Sequence, residues 1–254
     1  MQEPHLSRND LLELAQLGRS SSARYDSKLV LVEGSRAIAG AKNSGAKIRH
    51  ILAIEPGELQ TEFPGMEIIQ IDVKSAKSIA TTTNPQGVMA ICEMPIFDPL
   101  TISSGEQFEK PVIVLDNVSD PGNVGTIIRS ATAFGVGAVI LVGGCDPFHP
   151  KVVRSSAGMI FGCPVSSIEP FQLEEILKGR QIYKAQASDS SELQTIDFPN
   201  NPAIAFGNEA NGFQTEFFRN NTLEVSINME ELCESLNVAM TATIIAYHLS
   251  TLKN

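Results

Sequence analysis

The sequence predicts an α/β protein with a parallel sheet in its C-terminal part and a smaller α/β domain before it. Three observations support this prediction. Short apolar runs alternate with segments of helical spacing along the chain. These runs lack the polar alternation of half-exposed strands, which is typical of parallel sheets covered on both faces. A stretch rich in Pro, Ser and Thr, residues 93–111, divides the alternation into two parts.

The first part of the chain carries three helical patterns and four strand patterns. Leu11, Leu14 and Leu17 recur at helical spacing in a segment that ends at Gly18. Apolar runs bounded by turn or polar residues predict the strands. In chain order, the predicted elements are helix 6–18, strand 28–34, helix 35–45, strand 48–55, strand 66–72, helix 73–82 and strand 86–92.

The second part resumes the alternation with longer apolar runs. Its predicted elements are strand 111–117, helix 123–135, strand 138–144, helix 151–160, helix 171–179, strand 181–187, strand 202–209, strand 223–229 and helix 235–252. We therefore expect an N-terminal domain over 1–95, a linker over 96–110 and a C-terminal domain over 111–254.

Composition indicates an ordinary globular protein. The chain has 254 residues, of which 43% are hydrophobic and 19% charged, which suits a sizeable core. Its net charge of −10 argues against a polyanionic partner, because phosphate neutralisation needs Lys and Arg. Residues 1–56, however, hold eight Lys or Arg against six Asp or Glu, and are the candidate contact surface for a polyanion. Charge scattered over a solvated surface explains the same numbers.

No pattern suggests a metal site, an export signal or a membrane span. The four cysteines, Cys92, Cys145, Cys163 and Cys233, form no CxxC pair, which favours reduced, buried thiols in the cytosol. The first ten residues hold no apolar run. The apolar C-terminal stretch includes Asn, His, Ser and Thr, which favours a buried helix over a span of about 20 apolar residues. We therefore expect a cytoplasmic protein.

Three loops after predicted strands carry polar residues, at the edge where parallel sheets bind ligands. The first, DNVSDPGNVGT, continues to Arg129 and could bind a phosphate at the start of a helix, although it is neither a P-loop nor GxGxxG. The second, FGNEANG, places Glu209 at a strand end, and the third leads from Ile227 into ESLN. Taken singly, each loop is explained equally well by turn and helix-cap residues.

The order of the three loops is the specific signal. A strand followed by DNVSDPGNVGTIIRSATAFG, a strand followed by FGNEANG, and INM followed by ESLNVAMTATII resemble the three signature motifs of the SpoU (TrmH-type) RNA 2′-O-ribose methyltransferases, within the SPOUT superfamily. The N-terminal segments LVEGSRAIAGA and TNPQGVMAIC resemble the substrate-binding domain of the same family. The resemblance covers nearly the whole chain.

The resemblance implies a fold, a co-substrate and site residues. It implies a deep trefoil knot in the C-terminal domain, which periodicity does not predict, and S-adenosylmethionine (SAM) as the methyl donor. The residues implied to hold the donor, largely through backbone groups, are Gly207, Ile227 and Leu236. The implied polar catalytic cluster comprises Asn123, Arg129, Glu209, Ser235 and Asn237.

The third motif departs from the family pattern. Relatives commonly carry Pro-Met-x-Gly where this chain has Asn228, Met229, Glu230 and Glu231. Glu231 adds a side chain and a charge near the donor, and Asn228 lacks the fixed φ angle of proline. We expect effects on donor affinity or substrate choice and a retained activity, because the SLN sequence that follows is intact.

The role of Arg129 has two interpretations. Methyl transfer needs the ribose 2′-oxygen aligned with the methyl group, and the hydroxyl proton must leave. By the resemblance Arg129 is the base, but a guanidinium normally stays protonated. Alternatively, Arg129 binds a substrate phosphate bidentately and the proton leaves by another route. Glu209 then orients Arg129 or Asn123.

The sequence therefore predicts a SAM-dependent RNA 2′-O-methyltransferase that needs no metal. Ribosomal RNA is the preferred substrate and tRNA the alternative. A non-catalytic RNA-binding protein with the same fold is a second alternative, against which the complete polar cluster argues. A dinucleotide-dependent enzyme is a third, against which the absent GxGxxG argues.

Two further expectations concern surfaces. The final helix is apolar on several faces, so one face needs a neighbour beyond its own sheet, and we expect a homodimer. The candidate phosphate contacts are the cationic residues of the N-terminal part: Arg8, Arg19, Arg24, Lys28, Arg36, Lys42, Lys47 and Arg49.

Overall fold

The computed structural model describes residues 6–186, 191–220, 222–230 and 232–252. The chain divides into two compact units. The first unit contains the residues up to Ile96 together with the segment Phe148–Gly162. The second contains Phe97–Pro147 and the residues from Cys163 onward. The C-terminal domain expected over 111–254 included the segment 148–162, which instead belongs to the first unit.

The residues before the Pro-rich stretch form five helices and four strands. In chain order these are α1 (Arg8–Arg19), α2 (Ser21–Ser27), β1 (Leu29–Glu33), α3 (Ser35–Asn43), β2 (Ile48–Ala53), α4 (Leu59–Glu62), β3 (Ile68–Gln70), α5 (Val73–Ile79) and β4 (Val88–Glu93). Ser7 caps α1 in a reciprocal capping box with Asp10, which explains why this helix begins where it does.

The described residues that follow form five helices and seven strands. They are α6 (Gly105–Phe108), β5 (Val112–Asp116), α7 (Pro121–Ala133), β6 (Ala138–Val142), α8 (Pro150–Ser155), β7 (Val165–Ile168), α9 (Leu173–Ile176), β8 (Ile182–Ala185), β9 (Ser191–Glu192), β10 (Ala203–Phe206), β11 (Leu223–Ser226) and α10 (Val238–Thr251).

The sheet of the first unit has the order β1-β4-β2-β3. Strand β4 runs antiparallel to both β1 and β2, and β2 and β3 are parallel. The unbroken apolar runs of these strands therefore do not indicate parallel pairing in this sheet. Helices α1 and α5 share its apolar core, and α3 and α8 also contact β1. Strands covered on both faces are apolar whether they run parallel or antiparallel, because an unbroken apolar run indicates burial and not strand direction.

The sheet of the second unit has the order β7-β6-β5-β10-β8-β11-β9, and every neighbouring pair is parallel. The predicted α/β class with a large parallel sheet is confirmed. Strands β5 and β6 are buried along their whole length. Helix α7 packs on β6 and on α10. The two helices into which the first and third motif loops lead therefore lie side by side.

The segment predicted to be a linker, 96–110, is folded from Phe97 onward as part of the second unit. It contains a 3₁₀ turn, Pro99–Ser103, and α6. Ile102 is fully buried in the core beside α9. The Pro and Ser residues predicted irregular structure, but two or three apolar side chains suffice to anchor such a segment to a core.

Five short elements were not predicted, among them α6 in the segment expected to be a linker, and the burial expected of three side chains was wrong. Strand β7 (VSSI) and strand β9 are too short and polar to give a periodic signal, and α2 and α4 have at most seven residues. Of the four cysteines expected to be buried, Cys145 is partly exposed and Cys233 is exposed, whereas burial raises the pKa of the Cys92 and Cys163 thiols to about 12. Arg24 is buried and donates to the Leu17 carbonyl oxygen, 2.7 Å away, so it is no phosphate contact.

Candidate active site

The carboxyl ends of strands β5, β10 and β11 carry the three motif loops. Strand β10 lies between β5 and β8, and β11 lies on the other side of β8. The loops therefore leave the sheet at one edge, as parallel strands require. The sequence places them far apart in the chain, and the strand order brings them together.

Helix α7 begins inside the first motif. The Asp120 side chain accepts from the backbone N–H of Asn123 at 2.9 Å and caps the helix, and Pro121 occupies the first helical turn. Asn123 is thereby held in the first turn with its side chain directed away from the helix axis toward the second and third motif loops, where its hydrogen-bond partners lie.

Three predicted catalytic side chains form one hydrogen-bonded chain. Asn237 Oδ1 accepts from the backbone N–H groups of Ala239 and Met240, at 2.9 and 3.3 Å, and so caps α10. Its Nδ2 donates to Asn123 Oδ1 at 3.0 Å, and Asn123 Nδ2 donates to Glu209 Oε1 at 2.6 Å. The start of α10 thus fixes the orientation of both amides, because a flipped Asn237 would lose its cap.

The second motif forms a tight loop whose glycine is sterically required. Asn208 and Gly212 exchange two backbone hydrogen bonds of 3.0 and 2.9 Å. A Cβ atom at Gly207 would lie 2.7 Å from the carbonyl carbon of Gly212, which real side chains do not tolerate. This close approach keeps the backbone of the loop open to the adjacent cavity.

The second and third motif loops, with the end of β8 and the start of α10, line a cavity of about 520 Å³. Six of the eight predicted site residues line it: Gly207, Glu209, Ile227, Ser235, Leu236 and Asn237. Asn123 does not line the cavity but bonds to two residues that do. The volume lies within the range of about 300–1,000 Å³ that small-molecule sites occupy.

Arg129 is not brought into this cluster. It lies six residues after Asn123 on α7, which corresponds to a rise of about 9 Å along a helix. Its side chain is exposed, and among the described residues no hydrogen bond or ion pair of Arg129 is present. Its position suits a group that meets a large ligand from solvent better than one that meets the donor.

Sequence reasoning gave no role to three side chains that organise the site: Asp116, Thr215 and Asn208. Asp116 and Thr215 bond to each other beside the second motif loop, and Asn208 Nδ2 donates to the Asn117 carbonyl oxygen at 3.0 Å. One signal was available: a carboxylate that ends an otherwise apolar strand, as Asp116 does, must find donors from a neighbouring loop. The sequence did not indicate which loop.

The departures in the third motif fall at the cavity edge. Met229 lines the cavity, whereas Asn228 and Glu230 are exposed. Glu231 lies outside the described residues. The missing proline therefore affects a solvent-facing position, next to a side chain that contributes to the wall.

The described part of the chain contains no group of three or more His, Cys, Asp or Glu residues arranged to hold a metal ion. None of its helices combines the length and apolar character needed to cross a bilayer.

Comparison with known families identifies the class to which this site belongs. The SpoU rRNA Methylase family matches residues 110–247, and the MRM3-like substrate binding domain matches residues 12–90. The chain belongs to the SpoU rRNA methylase family. It is a SAM-dependent RNA methyltransferase, and the predicted family, enzyme class and co-substrate are confirmed.

Similar proteins extend over the whole chain. The 23S rRNA (guanosine(2553)-2′-O)-methyltransferase RlmP of Bacillus subtilis is 30% identical over 89% of this chain and 90% of its own. The SAM-bound SpoU methyltransferase AviRb of Streptomyces viridochromogenes has a TM-score of 0.84 at 25% identity, covering 97% and 98% of the two chains. A SAM-bound rRNA methyltransferase of Sinorhizobium meliloti has a TM-score of 0.80 at 27% identity, covering 99% and 98%.

Proposed function

We propose that the protein transfers a methyl group from SAM to a ribose 2′-hydroxyl of ribosomal RNA. This proposal is carried by one observation: the second and third motif loops line one cavity, and Asn123 of the first motif bonds to Glu209 and Asn237 in its wall. The name of the B. subtilis relative specifies a 2′-O modification of 23S rRNA, which supports rRNA over tRNA.

We assign donor binding to the backbone around Gly207, Ile227 and Leu236. All three line the cavity, whose volume and mixed polar and apolar walls fit a molecule of this size. SAM supplies an electrophilic methyl group on a sulfonium centre when bound. The protein's own contribution is to exclude water from this cavity and to hold the acceptor nucleotide at its open side.

We assign the acceptor ribose to the polar chain. Glu209 has one carboxylate oxygen held by Asn123, so its other oxygen is available to a substrate hydroxyl. Ser235 lines the same cavity and is exposed, which suits a second contact to the nucleotide. Arg129, exposed on α7, then meets the RNA backbone from outside, either as a phosphate clamp or, paired with that phosphate, as the proton acceptor.

We assign substrate docking to residues 1–95 and methyl transfer to residues 111–254, except that segment 148–162, which belongs to the first compact unit, is assigned to docking. The match of 12–90 to a substrate binding domain supports this division. Within the first unit, Arg36 is exposed at the start of α3 without a described partner, and Arg154 is partly exposed beside the buried Glu33. These two cations form the RNA-contacting face that we favour.

Salt dependence tests this docking face. Exchanging both Arg36 and Arg154 for Gln should weaken RNA binding and reduce the slope of log K against log salt by about two. Donor binding should stay unchanged. The control variant exchanges both Lys47 and Arg49 for Gln. These residues pair with Glu93 at 4.0 and 3.4 Å, so the variant loses the same charge and should weaken RNA binding less. An unchanged slope in the Arg36 and Arg154 variant would exclude this face.

We also propose a homodimer formed through α10 and a trefoil knot around the third motif. Met240 and Tyr247 are 60% and 57% exposed, with Ile244 between them on one face of α10; a second copy of this chain would cover that apolar stripe. Strands β10 and β11 insert between earlier strands, as a knotted path requires. Sedimentation of Ile244→Glu as a monomer beside a wild-type dimer tests the first proposal, and an experimental structure traced for chain threading tests the second. A cytosolic location fits an rRNA substrate.

Methyl transfer from labelled SAM to fractionated total RNA tests the function. We expect label in large-subunit rRNA as a 2′-O-methylated nucleoside, and mapping then locates it. Label in tRNA and not in rRNA would show that tRNA is the substrate. No transfer, together with no rise in melting temperature at saturating S-adenosylhomocysteine, would contradict both the activity and the donor site.

A further inference from the structure

The side chain of Asp116 is a buried charge at the carboxyl end of β5. Its relative exposure is 0%, and the ion pairs found among the described residues do not include it. Burying a carboxylate without a cation is costly unless hydrogen-bond donors surround it. The donors around Asp116 therefore indicate what this charge holds in place.

Four donors converge on the two oxygens. Oδ2 accepts from the backbone N–H groups of Gln214 and Thr215, at 2.6 and 2.9 Å. Oδ1 accepts from Thr215 Oγ1 at 2.6 Å and from Asn117 Nδ2 at 3.1 Å. Three of the four bonds come from the two residues that directly follow segment 207–213, which contains all but the first residue of the second motif FGNEANG.

The same loop is fastened at its start to the neighbour of Asp116. Asn208 Nδ2 donates to the carbonyl oxygen of Asn117, and Asn208 Oδ1 accepts from the N–H groups of Ala210 and Asn211 at 3.0 Å each. Asn117 itself has a positive φ of 55°, and its side chain is one of the groups that Asp116 binds. Both ends of the 207–213 loop are thus tied to residues 116 and 117.

This loop supplies a third of the cavity wall. Five of the fifteen lining residues belong to it: Gly207, Asn208, Glu209, Gly212 and Phe213. Asp116 does not line the cavity. Any influence of Asp116 on the donor must therefore pass through the loop.

We propose that Asp116 is a positioning residue for donor binding, because its carboxylate holds the 207–213 loop in the conformation that shapes the cavity. The proposal rests on the donor site assigned above. It adds a residue that touches neither donor nor RNA and that acts on affinity through the backbone of the second motif.

The primary test compares Asp116→Asn and Asp116→Ala with the wild type. The dissociation constant of S-adenosylhomocysteine is measured by calorimetry at a temperature where each variant is folded. We expect a rise of at least about tenfold for Ala, which removes all four acceptor contacts, and a smaller rise for Asn, which keeps one acceptor oxygen. Hydrogen exchange in peptides covering 207–215 should accelerate, with β5 and β6 unchanged.

Two further variants separate positioning from general stability. Thr215→Val removes one bond to Asp116 and should raise the dissociation constant by about two- to fivefold without unfolding the protein. Arg180→Lys perturbs a second buried charge at the opposite end of the same strands and should lower the melting temperature with the dissociation constant unchanged. Thr215→Val decides the question if both Asp116 variants fail to fold.

Wild-type affinity and wild-type exchange at 207–215 in Asp116→Asn and Thr215→Val would overturn the proposal and leave Asp116 a purely structural residue. A failure of the donor site itself is distinguishable, because the wild type would then not bind S-adenosylhomocysteine. In that case the exchange data still report whether Asp116 holds the loop.

Discussion

The two ends of strands β5 and β10 are held by buried charges of opposite sign. At the carboxyl ends, Asp116 collects N–H and O–H donors from the segment after the second motif loop. At the amino ends, Arg180 is 7% exposed and donates to four carbonyl oxygens. Its contacts are Lys110 at 2.7 Å, Asn201 at 3.0 Å, and Ile102 and Gln107 at 2.9 Å each.

The partners of the two charges differ in a way that matters for function. Arg180 joins the segment 102–110 to Asn201 and lies over the Phe108 ring at 5.2 Å, so it links the chain segments that precede β5 and β10. Burial lowers the pKa of its guanidinium to about 10, which still leaves a cation at neutral pH. Asp116 holds one loop, at the edge where ligands bind. We infer that the amino ends determine stability and the carboxyl ends determine the site.

The largest expected effect is on catalysis at the carboxyl edge. Arg129→Ala should lower methyl transfer by about 10²–10⁴-fold, the range for a group that handles the proton or the charge of the reacting centre. Donor affinity should be unchanged, because Arg129 does not line the cavity. Single-turnover rates with saturating RNA and donor measure the first effect, and calorimetry measures the second.

Arg129→Lys distinguishes the two interpretations of that residue. A lysine keeps the charge but loses the planar fork. Measurable activity in the Lys variant would favour simple phosphate neutralisation, and activity as low as that of Ala would favour a base or a bidentate clamp. Near-wild-type turnover in Arg129→Ala would show that this residue takes no part in the reaction at the carboxyl edge of the sheet.

The next largest effect is expected at the amino ends. Arg180→Met leaves four carbonyl groups without their donor and should reduce the free energy of unfolding by about 3–5 kcal/mol, because each buried acceptor left unsatisfied costs about 1–3 kcal/mol. The melting temperature should fall by roughly 2–4 °C for each kcal/mol. Affinity for S-adenosylhomocysteine at low temperature should stay at the wild-type value. A loss of affinity that parallels the loss of stability would contradict the inference that the amino ends of the strands determine stability and the carboxyl ends determine the site.

Much of the fold was predictable because its signals are local. Apolar runs and helix caps define β5, α7 and α10 within a few residues. Strand β7 was not predictable, because a VSSI segment has too little apolar character. The antiparallel direction of β4 was not predictable either, because it depends on where the chain re-enters the sheet.

The site was predictable in its residues and less so in its geometry. Motif order identified six residues that line one cavity, although no local rule places Gly207 beside Leu236. The exposed position of Arg129, which has no partner among the described residues, and the role of Asp116 became visible only with the fold, because both depend on which loops the strand order makes adjacent.

A smaller effect that links stability and site is expected at Asn237. Asn237→Ala removes the cap of α10, which should cost about 1 kcal/mol, and also the bond to Asn123. Asn237→Asp keeps an oxygen for the cap and loses the donor, so it should retain stability while turnover falls by about 10–100-fold. Equal turnover in Asn237→Asp and wild type would mean that the polar chain does not align the reacting groups.

The smallest expected effect concerns Glu33. It tests whether a buried carboxylate at the end of a strand also holds a loop in the first unit, as proposed for Asp116. Glu33 ends β1, is 5% exposed, and accepts from the Thr81 backbone N–H at 3.0 Å, from Thr81 Oγ1 at 2.7 Å and from the Thr82 hydroxyl. Burial raises the pKa of Glu33, but these bonds and the charge of Arg154 outweigh it, so the pKa lies below its ordinary value of 4.5. Ionised Glu33 is therefore bound more favourably in the folded state than in the unfolded chain.

Because the folded pKa is depressed, the stabilisation by Glu33 is complete above about pH 4.5 and is lost as the pH falls through the lower folded value. Glu33→Gln should reduce the free energy of unfolding by about 1–2 kcal/mol at pH 7. The difference from wild type should stay constant down to about pH 5 and shrink below it, as measured by urea titrations at each pH. Glu93→Gln, which removes a half-exposed partner of Lys47 and Arg49, should change stability by less than about 1 kcal/mol. If the difference in free energy of unfolding between Glu33→Gln and wild type persists unchanged to pH 3, packing and not charge holds the Thr81 loop. A buried carboxylate that holds a loop by its charge would then be a feature of Asp116 alone among these two strand ends.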